Sequence, residues 1–206
     1  MLNKNGQMTV TTPDGSRRIL LHSCCAPCSG AIIECLLANG ITPVIFFSNS
    51  NIYPRDEYEL RKAEITRYAE SLGLEVIDDD YDHDAWLDHA LRRCDGKVDM
   101  ALATAPERAE RCLRCFEFRL LRAARWAKEH GMSVLATTLA SSRWKDLGQV
   151  AEAGNRACGL VGDVVFWDQN WRKGGLQPRR GEIIREQGFY NQDWCGCEFS
   201  RKSTEN

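Results

Sequence analysis

Apolar and polar positions fall in blocks along this chain. RILLHS (18–23) is a short, almost unbroken apolar run, the pattern of a strand buried on both faces, and AIIECLLAN (31–39) behind it reads as a helix stopped by Gly40. ITPVIFF (41–47) repeats the buried-strand pattern. In RDEYELRKAEITRYAESLG (55–73) the residues Tyr58, Ile65, Tyr68, Ala69 and Leu72 recur near helical spacing, and Gly73 ends that helix ahead of a third strand, LEVID (74–78). A short helix around 85–92 and a long one from about Pro106 to His130 follow, with proline at the opening of the long one and Gly131 past its end. MSVLATTL (132–139) is a fourth strand, LGQVAEAG (147–154) lies in a helix, and DVVFW (163–167) is a short fifth strand. Strands alternating with helices predict an α/β fold, a mainly parallel sheet with helices on both faces, followed by an irregular C-terminal segment of roughly forty residues.

Composition narrows the class. With 206 residues, 43% of them hydrophobic, the chain can bury one core and has little reason to split. We read a polar N-terminal extension over 1–17, a single domain over 18–200 and a polar tail over 201–206. The N-terminal stretch lacks the apolar core of a signal peptide and no later run reaches the length of a membrane span, so a cytoplasmic protein without membrane contact is expected. Ten cysteines are many for such a compartment, and metal ligation or redox chemistry explains them better than a disulfide framework. The net charge of -2 excludes a generally basic nucleic-acid coat. Basic residues still cluster locally, at Arg122, Arg125 and Lys128, at Arg172 and Lys173, at Arg179, Arg180 and Arg185, and at Arg201 and Lys202. Solvated helix faces are the ordinary explanation of such groups, and phosphate contact the functional one.

Seven of the cysteines form three groups. Cys24 and Cys25 stand where the first strand ends, with Cys28 at the start of the next helix, where the dipole favours thiolate. Cys112 and Cys115 sit three apart on the long helix and turn to one face, while Cys195 and Cys197 flank Gly196 in an extended or turn segment. Cys35 belongs with core residues, Cys158 is ambiguous and Cys94 reads as a free loop thiol. Ordinary interior packing does not explain three such groups. Structural zinc is the stronger rival, yet its usual pair of CxxC knuckles is missing, and an iron–sulfur cluster ranks ahead of it.

The motifs HSCCAPCS, SNSNIYPRDEYELRKAE, CLRCFEFRL, ATTLASSRWKDLGQV and RKGGLQPRRGEIIREQGFYNQDWCGCEFS resemble, in order from about Leu20 to Ser200, the cobalamin-independent epoxyqueuosine reductases known as the QueH family. The resemblance implies a nucleotide-hydrolase-like (HUP-like) α/β fold and an oxidoreductase that reduces the epoxide of epoxyqueuosine in the tRNA anticodon to queuosine. It implies a 4Fe-4S cluster with an adjacent mononuclear iron, and Cys24, Cys25, Cys112, Cys115, Cys195 and Cys197 match the family's metal-binding cysteines. Some relatives carry aspartate at the position of Cys28, an iron ligand type suited to the second metal. Asn49, Asn51, Pro54, Glu57, Tyr58 and Arg61 match a loop-and-helix pattern at a strand's carboxyl end, with Ser50 where proline is common. Thr138, Leu139, Ser142 and Lys145 match a second pattern, in which Arg143 and Trp144 replace the usual residues.

Removing an epoxide oxygen takes two electrons, a polarised carbon–oxygen bond and a proton donor. Tyr58, Glu57 and Asp193 are the candidate acids, against the ordinary roles of helix core for Tyr58 and turn residue for Asp193. Asn49, Asn51, Arg61, Lys145 and Arg179 are the candidate substrate contacts. Trp144, Trp167, Trp171, Phe189, Tyr190 and Trp194 are candidates for base stacking, with core packing as their default, and Arg172, Lys173, Arg179 and Arg180, read as a loop, for phosphate. The partners implied are tRNA carrying epoxyqueuosine and an electron donor such as a ferredoxin, a flavodoxin or another reductant. Two other classes remain: an ATP-dependent tRNA-thiolase-like enzyme, disfavoured because CCAPCSG stands in place of a glycine-rich phosphate loop, and a non-catalytic zinc-binding RNA module.

Overall fold

A computed structural model describes residues 8–200. Residues 1–7 of the extension and the whole tail, with Arg201 and Lys202, lie outside the described residues. The first half runs β1 (Arg18–His22), α1 (Ala26–Ala38), β2 (Thr42–Phe47), α2 (Arg55–Ser71), β3 (Val76–Asp78), α3 (His83–Ala90) and α4 (Met100–Ala103). It continues through α5 (Glu110–Glu129), β4 (Val134–Thr137), α6 (Leu147–Val161), β5 (Val165–Phe166) and α7 (Leu176–Gln187). The strands form one parallel sheet in the order β3-β2-β1-β4-β5. Leu21 of β1 is in register with Ile45 of β2 on one side and Ala136 of β4 on the other. Helices α1, α2 and α7 pack together, and α5 packs with α3, α4 and α6 while also touching β1 and β4, giving the two covered faces that unbroken apolar strands require.

That strand order places a switch between β1 and β4, where connections leave in opposite directions and open a crevice beyond the strands' carboxyl ends. His22 seals the crevice floor. Its ring is fully buried and bridges Thr137 Oγ1 at 2.8 Å and the Ser48 carbonyl at 3.1 Å, tying the ends of three parallel strands. Burial, reinforced by the Arg119 charge, pulls its pKa down to about 3, so the ring is a neutral strut.

Several elements differ from the sequence pattern. Helix α1 starts at Ala26, five residues before the apolar run, because Cys25 is its N-cap and Pro27 occupies its first turn. The long helix starts at Glu110 and not at Pro106; Arg108 has a positive φ of 68°, which ends any helical path from the proline. Leu72 is the C-cap of α2 and is exposed, so the buried stripe of that helix runs Tyr58, Arg61, Ile65, Tyr68 and Ala69. The C-terminal segment contains a regular helix, α7, that holds both Arg179 and Arg180, so these two are not loop residues. Only Leu176 and Ile183 of α7 are buried, too weak a stripe to betray it. Val10 and Thr12, within the stretch read as a polar extension, are buried, and the Val10 N–H donates to Asn39 at 3.2 Å.

Candidate metal centre and substrate cleft

The turn between β1 and α1 carries the first sulfur group. Cys24, Cys25 and Cys28 place their sulfur atoms within 4.8 Å of one another, with Cys24 and Cys25 3.8 Å apart. Sulfurs bonded to one tetrahedral ion at about 2.3 Å stand about 3.8 Å apart, so the spacing suits a single metal ion. Hydrogen bonds from Cys25 and Cys28 hold the Cys24 thiol well below its ordinary range, while the same sharing pushes Cys25 up and Cys28 up to about 12. Thr138, at the end of β4, accepts from the Cys24 N–H at 3.1 Å and donates to its sulfur at 3.3 Å, bringing the second switch-point strand to the site.

The other two groups meet on α5. Cys112 and Cys115 sit in its first two turns, and the segment after α7 returns to bring Cys195 and Cys197 opposite them. Gly196 makes that return possible. Its φ of 103° is one that L residues rarely adopt, and a Cβ there would lie 2.9 Å from Ile52 and 3.0 Å from Arg61. The Arg61 guanidinium grips the Cys195 carbonyl at 3.1 Å, and the Tyr53 N–H donates to the Gly196 carbonyl at 2.9 Å. Lys145 Nζ donates to Cys195 Sγ. Burial works against the Lys145 charge, but the Cys195 and Cys112 sulfurs outweigh it and hold its pKa up. The reciprocal effect, opposed by burial, holds the Cys195 thiol down.

These groups line two adjoining cavities. Cys112, Cys115, Cys195 and Cys197 line a small one of about 20 Å³. Cys24, Cys25, Cys28 and Cys195 line an open cleft of about 1120 Å³. Cys195, Lys145, Trp144 and Arg111 belong to both walls. Three sulfur groups distant in sequence thus converge.

Two residues that sequence reasoning passed over line the cleft, and one of them, Arg111, lines the small cavity as well. Arg111 and Arg119 are each 2% exposed, and neither pairs with a carboxylate among the described residues. Arg111 reaches the Leu102 and Ala103 carbonyls at 2.9 and 2.6 Å; Arg119 reaches the Ser48 carbonyl at 3.3 Å and the Asn49 side chain. A buried cation held only by neutral dipoles is costly and calls for an anion nearby, which metal-bound thiolates provide. The sulfur donor set and these uncompensated cations both fit an iron–sulfur centre. The signal was present in the sequence: Arg111, Cys115 and Arg119 recur every four residues and share the buried face of α5.

The cleft also takes in Asn49, Asn51, Arg61, Lys145, Asp193, Arg180, Tyr190 and Trp194. Asn49 donates to the Ser23 carbonyl at 2.9 Å. Asn51 is 1% exposed, and neither its amide nitrogen nor its oxygen has a hydrogen-bond partner. Three expected site residues lie outside both cavities. Tyr58 turns into the core, its hydroxyl donating to Asp78 at 2.7 Å, and burial followed by that carboxylate pushes its pKa well up, the wrong setting for a proton donor. Glu57 is paired with Arg61 at 2.6 Å and accepts from the Tyr190 hydroxyl at 3.4 Å. Arg179 is held by Glu34, Glu182 and Glu186 at 2.7, 3.1 and 2.7 Å and clamps α7 to α1. Other basic positions are similarly occupied: Arg122 pairs with Asp79, and Lys128 with Asp163 at 3.2 Å. Trp167, Trp171 and Phe189 are core residues, as is Cys35; Cys158 is buried and Cys94 exposed.

A model of the family described as epoxyqueuosine reductase QueH matches residues 19–203. A protein of Histophilus somni named epoxyqueuosine reductase QueH is 45% identical over 192 residues, covering 93% of this chain and 75% of its own length. Proteins of the same name from Haemophilus influenzae and Acinetobacter baylyi are 44% and 43% identical, each over 93% of this chain and over 75% and 84% of their own lengths. No helix among the described residues is long and apolar enough to cross a membrane.

Proposed function

The chain belongs to the epoxyqueuosine reductase QueH family, and on that premise we propose that it reduces the epoxide of epoxyqueuosine in the tRNA anticodon to queuosine, as a cytoplasmic oxidoreductase. The observation that carries the reading is the meeting of three remote sulfur groups at Cys195, on the wall shared by both cavities. In this reading Cys112, Cys115, Cys195 and Cys197 hold a 4Fe-4S cluster, and Cys24, Cys25 and Cys28 hold the adjacent mononuclear iron. When bound, the pair supplies the electrons, drawn from a donor protein or small reductant, and the Lewis acidity that loosens the carbon–oxygen bond.

The protein's own side chains do the rest. Deoxygenation consumes two electrons and two protons and releases the oxygen as water. Asp193 is assigned proton delivery, since it alone of the three candidate acids lines the cleft. Asn51 is assigned to the modified base: an amide with a free donor and a free acceptor matches a nucleobase edge, and a base is a ligand that repays its buried, unpaired state. Arg61, fixed by Glu57, holds the Cys195 carbonyl on one side and lies over the Trp194 ring on the other, 5.4 Å from its centroid. Arg111, Arg119 and Lys145 balance the negative charge of bound thiolates. Arg180 is assigned to tRNA phosphate.

The test is an anaerobic reaction of the purified protein with epoxyqueuosine-bearing tRNA and dithionite, followed by nucleoside analysis. Queuosine should form, and the protein should contain iron and acid-labile sulfide. Zinc alone, with no conversion, overturns the reading in favour of an RNA-binding zinc module.

A further inference from the structure

Trp144 is 73% exposed, more than any other large apolar side chain among the described residues, and it stands at the lip of both cavities. No aromatic ring or cation stacks on it among the described residues. The loop beneath it is fixed. Arg108 donates to the Arg143 carbonyl at 3.1 Å and to the Trp144 carbonyl at 3.0 Å, and Arg172 donates to the carbonyls of Ser142 and Lys145 at 2.5 and 2.7 Å. Four successive carbonyls are thus held by two guanidinium groups from separate parts of the chain. Arg108 is itself held, its N–H donating to Cys112 Sγ at 3.3 Å and its carbonyl accepting from Gln149 at 2.8 Å. It keeps a φ of 68°, a strained conformation that persists only where its surroundings enforce it.

A rigid loop that presents a bare indole to water at the mouth of a cleft is a prepared contact. The flat, exposed ring with Arg143 beside it matches a nucleobase and its phosphate. We propose that Trp144 is a stacking platform for an unpaired anticodon-loop base that flanks the modified nucleotide, holding the loop open while that nucleotide enters the cleft. The proposal rests on the tRNA reading above, because the bases available at this lip are those adjoining the nucleotide that must be splayed out to reach Asn51 and the thiols.

Binding of an anticodon stem–loop RNA, and of a fully paired hairpin stem without loop bases, is measured for the iron-loaded wild type, Trp144→Ala and Trp144→Phe over a range of salt. Trp144→Ala should weaken stem–loop binding about 5- to 100-fold, and Trp144→Phe should recover most of it. The slope of log Kd against log salt should stay the same, because stacking releases no counterions. The part of the fluorescence that Trp144→Phe removes should be quenched by the stem–loop and not by the paired stem. Equal stem–loop affinity in wild type and Trp144→Ala overturns the proposal, as does an affinity loss that tracks lost iron or a lowered salt slope. Unaltered RNA binding with slower reduction by a donor protein overturns it too and gives the lip to the electron donor. Trp144-dependent RNA binding by a protein that forms no queuosine would leave the platform standing and end the reductase reading.

Discussion

The substitution Gly196→Ala measures how tightly the CGC segment is built. At a φ of 103° an L residue pays about 1–2 kcal/mol for its backbone. The new methyl would also stand 2.9 Å from Ile52 Cγ1, 3.0 Å from Arg61 Nη1 and 3.3 Å from Arg61 Cζ. Neither neighbour can withdraw, since Ile52 is buried and Arg61 is fixed by Glu57 and the Cys195 carbonyl; overpacking of this kind costs about 1–3 kcal/mol more. The sum is about 2–5 kcal/mol, equivalent to a fall in Tm of roughly 5–15 °C for a chain of this size. Gly73→Ala separates the two contributions. Gly73 has a φ of 70°, and a methyl added there would meet nothing within 4 Å, so the change should cost only about 1 kcal/mol. Urea unfolding of the metal-free, reduced proteins gives both values, and iron per chain in reconstituted samples should fall for Gly196→Ala alone. If Gly196→Ala is no less stable than Gly73→Ala, the close packing of the CGC turn against Ile52 and Arg61 is wrong.

Asn51→Leu should leave unfolding stability unchanged or raise it by about 1 kcal/mol, because an unpaired buried amide is removed, while kcat/KM for epoxyqueuosine-tRNA falls at least tenfold; a stability loss without a kinetic one would assign Asn51 to structure. Arg180→Ala should lower the salt slope of tRNA binding by about 1, and Arg179→Ala should leave it alone, since three glutamates already neutralise that charge; the reverse pattern would move the phosphate contact. Iodoacetamide at pH 8 followed by peptide mapping should label the exposed Cys94 and spare Cys35 and Cys158, whose pKa values burial raises to about 11 and about 12. Their thiolate fractions at that pH are about 10⁻³ and 10⁻⁴, rising only as pH approaches those values, so prompt labelling of either would contradict the packing.

The central strands were legible because a strand buried on both faces needs an unbroken apolar run, and β1 and β2 have one. The apolar run began only at Ala31, because residues 25–28 carry a sulfur motif in place of an apolar stripe, yet the helix-opening position read for Cys28 holds, in the first turn of α1. Helix α7 was hidden for another reason: with Pro178, Gly181 and only two buried apolar residues, it is held by the Arg179 clamp and by Ile183 packed onto Gly30. Spacing alone grouped the thiols in pairs and triples; their convergence depended on strand order, and strand order is set by packing between remote segments. Arg111 and Arg119 escaped notice because charge at helical spacing ordinarily means a face in water, and here that face is turned inward.

Those two arginines bear on how such a site is inherited. A helix that commits two guanidinium groups to the interior makes each sulfur partner hard to relinquish alone, because a lineage that lost the metal would keep cations it could no longer balance. Decay of the centre should therefore register first as poor folding and only later as missing chemistry, and the anionic ligand set and the arginines should disappear together or not at all.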